Sequence, residues 1–297
     1  MKAILKWIAI VSAALVGILV IAVLALYTVG FSRLYDAVIP TRPVSLANNP
    51  DSLERGEFLV KSVSACIDCH GENLEGKPFV VEAPIGYIPA PNLTSGSGGV
   101  GGWYTLEDWE RAIRHGVGGD GRVLGGMPSD SYSHLSDDDL SAIIAYLQSL
   151  PAVDNELPGR SLSFIGTILF GVFGYQDLPV AKIDHLAVGS AHPVESVSSE
   201  YGQYLVDIAG CRDCHGSDLV GRTPEQAASG PPAGPKLTPS GSLGSWTFEG
   251  FLATLRSGST PDGHSLNPEM PWPAYSGMND EELHAIWLYL QSLPVFP

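Results

Sequence analysis

The sequence predicts an all-α chain: one membrane-spanning helix, then two tandem copies of a small helical unit. Three observations carry that prediction. A run without charge lies near the amino terminus, one pattern of roughly a hundred residues occurs twice, and each copy closes on a capped amphipathic helix. A length of 297 residues suits two domains. With 16 Lys plus Arg against 32 Asp plus Glu, the formal net charge is −16. No basic patch is present to meet phosphates, so no nucleic acid partner is expected. Only 16% of residues are charged and 44% are hydrophobic, which argues against disorder, while 34 Gly and 23 Pro require long loops between helices.

The first element is the amino-terminal helix. Lys2 and Lys6 precede Ile8 to Val29, 22 residues without a charge. At about 1.5 Å per residue that run covers the ~30 Å hydrocarbon thickness of a bilayer. Val23-Leu24-Ala25 would serve as a signal-peptidase site, but the apolar region of a cleaved signal is only about 7–15 residues long. The reading is therefore an uncleaved, single-pass signal anchor over 1–30, followed by a linker over 31–50. Lysines before the span place the amino end in the cytoplasm and the rest on the extracytoplasmic (periplasmic) side of the cell membrane.

The repeat follows, as units over 51–157 and 195–297 with a connector over 158–194. Gly56-Glu57-Phe58-Leu59-Val60 is answered by Gly202-Gln203-Tyr204-Leu205-Val206, and Pro91-Asn92-Leu93-Thr94 by Pro235-Lys236-Leu237-Thr238. Arg114 is answered by Arg256, Met127-Pro128 by Met270-Pro271, and both copies end in Tyr-Leu-Gln-Ser-Leu-Pro. Ser136 with Asp139 three residues on starts the last helix of the first copy, and Asn279 with Glu282 that of the second. Leu140, Ile143, Ile144 and Leu147 recur at helical spacing until Pro151 stops the run. Thr105 and Thr247 are expected to cap a middle helix in each copy, and short helices are expected over Leu53–Ser62 and Ser199–Ile208. Little sign of strands appears between the cysteines and the methionines. Each unit then has a small apolar core for its length, so something else should fill its middle. Leu162 to Phe173 in the connector is apolar but too short to span a bilayer. It is expected to pack between the domains or to lie against the membrane surface.

All four cysteines fall in two copies of C-x-x-C-H, at Cys66-Ile67-Asp68-Cys69-His70 and Cys211-Arg212-Asp213-Cys214-His215. That motif is the signature of covalent c-type haem attachment. Two haems are expected, with thioethers to Cys66, Cys69, Cys211 and Cys214 and with His70 and His215 as proximal iron ligands. A zinc site would bring its cysteine pairs much closer together in sequence, and a redox dithiol would need a βαβ context that is missing. For the distal ligands the repeat register selects Met127 and Met270, which follow His70 and His215 by 57 and 55 residues. Methionine raises the potential and closes the open site, which suits electron transfer. Met278, the competing methionine, aligns with Leu135. Arg114 and Arg256 are candidates to pair with haem propionates, and Tyr104 and Trp246 to pack on the ring edge. His115, His134, His185, His192, His264 and His284 read as surface or structural. Gly96 to Gly101 matches G-x-G-x-x-G but follows no strand, so it reads as a loop beside the haem.

On these residues each unit resembles a class I cytochrome c domain. The pair resembles membrane-anchored dihaem c-type cytochromes and, more loosely, the cytochrome subunits of membrane-bound alcohol dehydrogenases. The resemblance covers about 70% of the chain. It implies an all-α fold wrapped around each haem and one-electron transfer, rather than catalysis, in a respiratory or photosynthetic chain. An electron-accepting subunit of a membrane-bound dehydrogenase is the alternative, and a dihaem peroxidase a more distant one. The chain departs from the alcohol dehydrogenase subunits in having two haem motifs instead of three and a membrane segment at its amino end. Donor and acceptor proteins are the expected partners, alone or within a multi-subunit complex. The units carry −11 and −8 charges, which serve solubility and, on a sharper reading, the docking of a basic redox partner.

Overall fold

A computed structural model describes residues 2–47, 49–82, 84–189, 193–227 and 232–295; His192 lies outside them. The chain is mostly helical with one small sheet. Helix α1 (Lys2–Tyr35) is about 51 Å long, longer than a hydrocarbon core, so its last turns emerge from any bilayer it crosses.

The first unit begins with α2 (Pro50–Phe58), capped by Asn49, which runs on through a wider π turn at Leu59–Val63. Helix α3 (Cys66–His70) carries the first cysteine motif. A hairpin follows, with β1 (Lys77–Glu82) antiparallel to β2 (Gly86–Ala90) and an irregularity between Pro78 and Val80. This hairpin departs from the expected strand-free loop. Phe79-Val80-Val81 favours a strand, but Pro78 and Pro89 break the alternation and are tolerated only because they sit at the irregularity and on the ladder's end. Then come α4 (Leu106–His115), α5 (Ser129–Tyr132) and α6 (Asp137–Ser149). Thr105 and Asp108 form a reciprocal capping box on α4, and Ser136 caps α6, as their spacing predicts.

In the connector, β3 (Ser161–Leu162) adds to the edge of β2, and α7 (Phe164–Ile168) continues as a π turn over Leu169–Phe173. This stretch does not pack between the domains. It lies against α1, where Cβ atoms at Gly30 and Gly171 would collide with the other segment's backbone. The short α8 (Pro179–Lys182) follows. The second unit repeats the first, with no hairpin among its described residues: α9 (Ser199–Ile208), α10 (Cys211–His215), α11 (Phe248–Ser257), α12 (Trp272–Tyr275) and α13 (Asp280–Ser292). Thr247 and Asn279 cap α11 and α13.

The repeated glycines now have a physical cause. Gly56 of α2 rests on the backbone of Ala142 in α6, and Gly202 of α9 rests on Ala285 in α13; a Cβ at either would overlap a carbonyl oxygen. Each crossing is the frame of its unit. The two frames share one apolar core, built from Leu59, Val63, Leu140 and Ile144 on one side and Leu205, Ile208, Met278 and Leu283 on the other. A polar seam crosses the interface. Arg55 clasps Asp139 through two bonds of 2.8 and 2.9 Å and donates to Tyr201 Oη, while Tyr204 donates to Asp139 at 2.5 Å. A separate cluster of Leu34, Val117, Val123, Leu178 and Val180 fastens the end of α1 to the first unit only.

Candidate functional site

Both cysteine motifs are held by the same local devices. The residue before each first cysteine is left-handed, Ala65 at φ +47° and Gly210 at φ +70°, and the glycine after each histidine sits at φ +85°. A buried tyrosine then pins each motif from the side. Tyr132 Oη donates to Ser64 O at 2.7 Å, and Tyr275 Oη donates to Ala209 O at 2.7 Å, in each case two residues ahead of the first cysteine. Burial pushes both phenols well above their ordinary range, so they remain neutral donors. Sequence reasoning missed these tyrosines, although each stands five residues after its methionine, at Met127 and Met270.

The histidines are set up as ligands. His70 Nδ1 lies 2.8 Å from Pro91 O and His215 Nδ1 lies 2.7 Å from Pro235 O. A carbonyl only accepts, so each Nδ1 carries the proton and each Nε2 keeps its lone pair. Burial lowers both imidazole pKa values and keeps the rings neutral. The prolines belong to the Pro-x-Leu-Thr segments, which explains why those segments are duplicated. As free thiols, Cys66 and Cys211 are pushed up to about 12 by burial, and Cys69 and Cys214 are raised as well. Nucleophilic dithiols show the opposite, lowered pKa. Nor does any group of three or more His, Cys, Asp or Glu among the described residues converge as a metal cage.

In the first unit these groups face a cavity of about 360 Å³, within the range of sites for sizeable organic ligands. Cys66, Cys69 and His70 line it, with Met127 among its walls and with Leu93, Ile113, Leu135 and Ile143 supplying apolar surface. Two donors on its wall, Trp109 Nε1 and Arg160 Nε, are buried and find no acceptor among the described residues. Apolar walls, a thiol pair, a basic imidazole nitrogen, a thioether and unspent donors form the donor set that a covalently held haem requires, so the residues fit the group. In the second unit His215 is buried, while Met270, Cys211 and Trp246 pack half-buried against the shared core. Met278 is buried in that core at the start of α13, as its alignment with Leu135 implies.

Tyr104 lines the first cavity, accepts from Gly119 N at 3.1 Å and meets Trp109 edge-on at 5.1 Å. Arg114 and Arg256, expected beside haem propionates, bond to groups of the protein itself. Arg114 donates to Leu135 O at 2.7 Å and pairs with Asp137 at 2.7 Å; Arg256 donates to Ser276 O and pairs with Asp280 at 2.8 Å. Both arginines tie the middle helix to the cap of the last one, where acidic first-turn residues already sit, and Arg114 is not on the cavity wall. The arginines that do line the cavity are Arg122 and Arg160, which have no arginine counterpart in the second copy and so gave no repeat signal. Of the other histidines, His115 is fully buried between Glu110 and His185, at 3.1 and 2.8 Å. His264 is an exposed partner of Asp262, and His284 stacks on Phe248.

Comparison with known proteins places this geometry. The family profile described as cytochrome c matches twice, over residues 53–151 and 199–294. The fructose dehydrogenase cytochrome subunit of Gluconobacter japonicus is 29% identical over 86% of this chain and 55% of its own length. The cytochrome c subunit of the quinone alcohol dehydrogenase of Gluconobacter oxydans is 28% identical over 82% of this chain and 55% of its own. A diheme cytochrome c-type protein of Cereibacter sphaeroides is 28% identical over 86% of this chain and 92% of its own. The chain thus spans about half the length of the dehydrogenase subunits it matches, and nearly all of the diheme protein.

Proposed function

The chain belongs to the cytochrome c family and carries two c-type haems, and from that premise we infer that it is a membrane-tethered two-haem electron carrier. In this reading Cys66, Cys69, Cys211 and Cys214 would hold the haems through thioethers, and His70 and His215, through Nε2, together with Met127 and Met270 would supply the iron ligands. Each haem then supplies one-electron iron chemistry, with a potential set by ligand and burial. The protein's part is to hold, close off and join the two sites. Pro91 and Pro235 fix the imidazole tautomers, Tyr132 and Tyr275 fix the cysteine motifs, and the apolar walls exclude water.

The observation that carries the reading is the contact between residues bordering the two motifs. Ser64 Oγ reaches Ile208 O at 3.5 Å, and Ser131 Oγ lies 3.4 Å from the Asp213 carboxylate between the second pair of cysteines. The two attachment helices are therefore bordered by segments in contact with each other, an arrangement suited to passing electrons between the haems. Carbon monoxide provides the test. The reduced native protein should not bind it, because both distal positions are filled; rapid stoichiometric binding at one haem would favour a peroxidase-like enzyme.

A second reading makes the chain the cytochrome subunit of a dehydrogenase complex, supported by the relatives that carry that name. Mild-detergent extraction from native membranes separates the two: a dehydrogenase co-migrating stoichiometrically with the haem absorbance means a subunit, and a lone dihaem chain means a shuttle. In both readings α1 anchors the protein with the haem units on the extracytoplasmic side.

A further inference from the structure

The apolar segment Phe164–Phe173 contains no charge, yet it is not a core element. Its inner face, Gly166, Thr167 and Gly171, is buried, while Phe164, Ile165, Leu169 and Phe173 remain 45, 55, 46 and 67% exposed. Four large apolar side chains left open on one short segment form the kind of patch that soluble surfaces avoid.

Its position on α1 says what covers it. The segment packs on the outermost turns of that helix, beyond most of the 22-residue apolar run. Phe164 stacks on Tyr27 with ring centroids 4.7 Å apart, Arg33 donates to Gly171 O at 3.3 Å, and Gly30 and Gly171 meet backbone to backbone. Tyr27 and Phe31 followed by Arg33 is the order of side chains found where a spanning helix leaves the hydrocarbon for the head groups. The exposed face of Phe164–Phe173 is therefore continuous with the lipid-facing surface of α1, where Val29 and Phe31 are also exposed.

We propose that Phe164–Phe173 is a membrane-interface segment, seated in the phospholipid bilayer at the boundary between head groups and acyl chains, and that together with α1 it forms a rigid foot under the first haem unit. This rests on the reading of α1 as a bilayer-spanning anchor. The foot is wired to the cavity by two routes. Ser163 N donates to Ile85 O at 2.8 Å, and Gly166 packs on Ile85, so the segment holds the tip of the hairpin whose residues Ile88 to Ala90 wall the cavity. Tyr35, the last residue of α1, lies under the guanidinium groups of the cavity-lining Arg160 and Arg122 at 5.5 and 5.6 Å. The first haem is thus the membrane-proximal one, placed to exchange electrons with a lipid-soluble or membrane-integral partner.

Lipid photolabelling tests this on the full-length haem-loaded protein. Vesicles of phosphatidylcholine carry a fraction of phospholipid with a diazirine on the acyl chain close to the glycerol, within the ~5–10 Å depth that interfacial helices occupy. After irradiation, tryptic peptides are read by mass spectrometry. The expected result is label on the peptide Ser161–Lys182 as well as on Trp7–Arg33, and loss of the former in the surface variant L169D/F173D with the latter unchanged. Label confined to Trp7–Arg33 would overturn the foot and leave the anchor standing. Label on neither peptide would overturn both. Label on Ser161–Lys182 that survives L169D/F173D would also overturn it, since the exposed face would not be what meets lipid.

Discussion

The two haem units share a skeleton and differ in what surrounds it. In both, a glycine lets the first helix rest on the last, a tyrosine five residues past the methionine pins the cysteine motif, and a proline carbonyl fixes the histidine tautomer. Among the described residues, the hairpin, the connector wall and the anchor contacts are found around the first. What binds iron is duplicated, and what positions the protein is single. The same split appears at the frame's polar clasp: Arg55 holds Asp139 in the first unit, while the corresponding places in the second are Tyr201 and Glu282.

The largest expected effect tests whether the duplicated parts are equivalent. Met127→Ala and Met270→Ala should each leave both haems attached and lower one potential by on the order of 0.1–0.3 V, a fraction of the ~0.8 V that axial ligands span. At about 2.3 kcal/mol per 100 mV this corresponds to roughly 2–7 kcal/mol, a range whose upper part exceeds every stability effect below. A potentiometric titration followed in the haem absorbance should show one wave moving per variant. Two waves moving together would mean that the haems are too strongly coupled to be treated as separate units, and no movement would remove the methionine from the ligand set.

Next comes the clasp. Arg55 is largely buried and its guanidinium is the cation bonded to the nearly inaccessible Asp139. Arg55→Met should therefore cost about 3 kcal/mol, as expected when a buried pair loses one partner, and should loosen the contact with the second unit through Tyr201 and Tyr204. Tyr201→Phe should cost under about 1 kcal/mol, because the bond it loses is a long one of 3.3 Å. Denaturant titration of the two variants measures the asymmetry directly; equal losses would erase it. Tyr132→Phe and Tyr275→Phe, by contrast, should each cost about 1–2 kcal/mol, since each leaves a buried carbonyl without its donor. Here the comparison predicts equality, and a difference of more than about 1 kcal/mol between them would show that one motif is held by something else.

How much of this was legible beforehand follows the same divide. The repeat announced the cysteine motifs, the Pro-x-Leu-Thr segments and the helix caps because two copies place the same residues under the same constraint. Arg114 and Arg256 were matched across the copies, but charge and register alone do not reveal that each also pairs with the acidic first turn of the next helix. Tyr132 and Tyr275 were legible and overlooked. Arg122, Arg160 and the hairpin occur once, so no register exposed them, and the two prolines hid the strands. The apolar connector was recognised as unable to span a bilayer, but its seat on α1 depends on Gly30 and Gly171, 141 residues apart in sequence.

The smallest effect is the one of opposite sign. Burial raises the Glu282 carboxyl above its ordinary value of 4.5, against the opposing pull of its hydrogen bond from Asn279 N. The folded protein then binds this proton more tightly than the unfolded chain, so the stability it contributes is fully present below about pH 4.5 and is lost as pH rises through the raised folded pKa. Glu282→Gln keeps the capping bond, since an amide oxygen accepts from Asn279 N as a carboxylate does, and it removes the buried charge. The second unit should gain a few tenths of a kcal/mol at pH 7, and the fall in stability above pH 4.5 should flatten. Asp139→Asn, the same change in the first unit, should lose stability at pH 7 because it takes the closest anion from the largely buried Arg55 and leaves it only the longer, 3.5 Å pair with the exposed Glu195. Parallel melting curves between pH 4 and 7 would decide it. If both variants moved in the same direction, the clasp would not be what distinguishes the two frames.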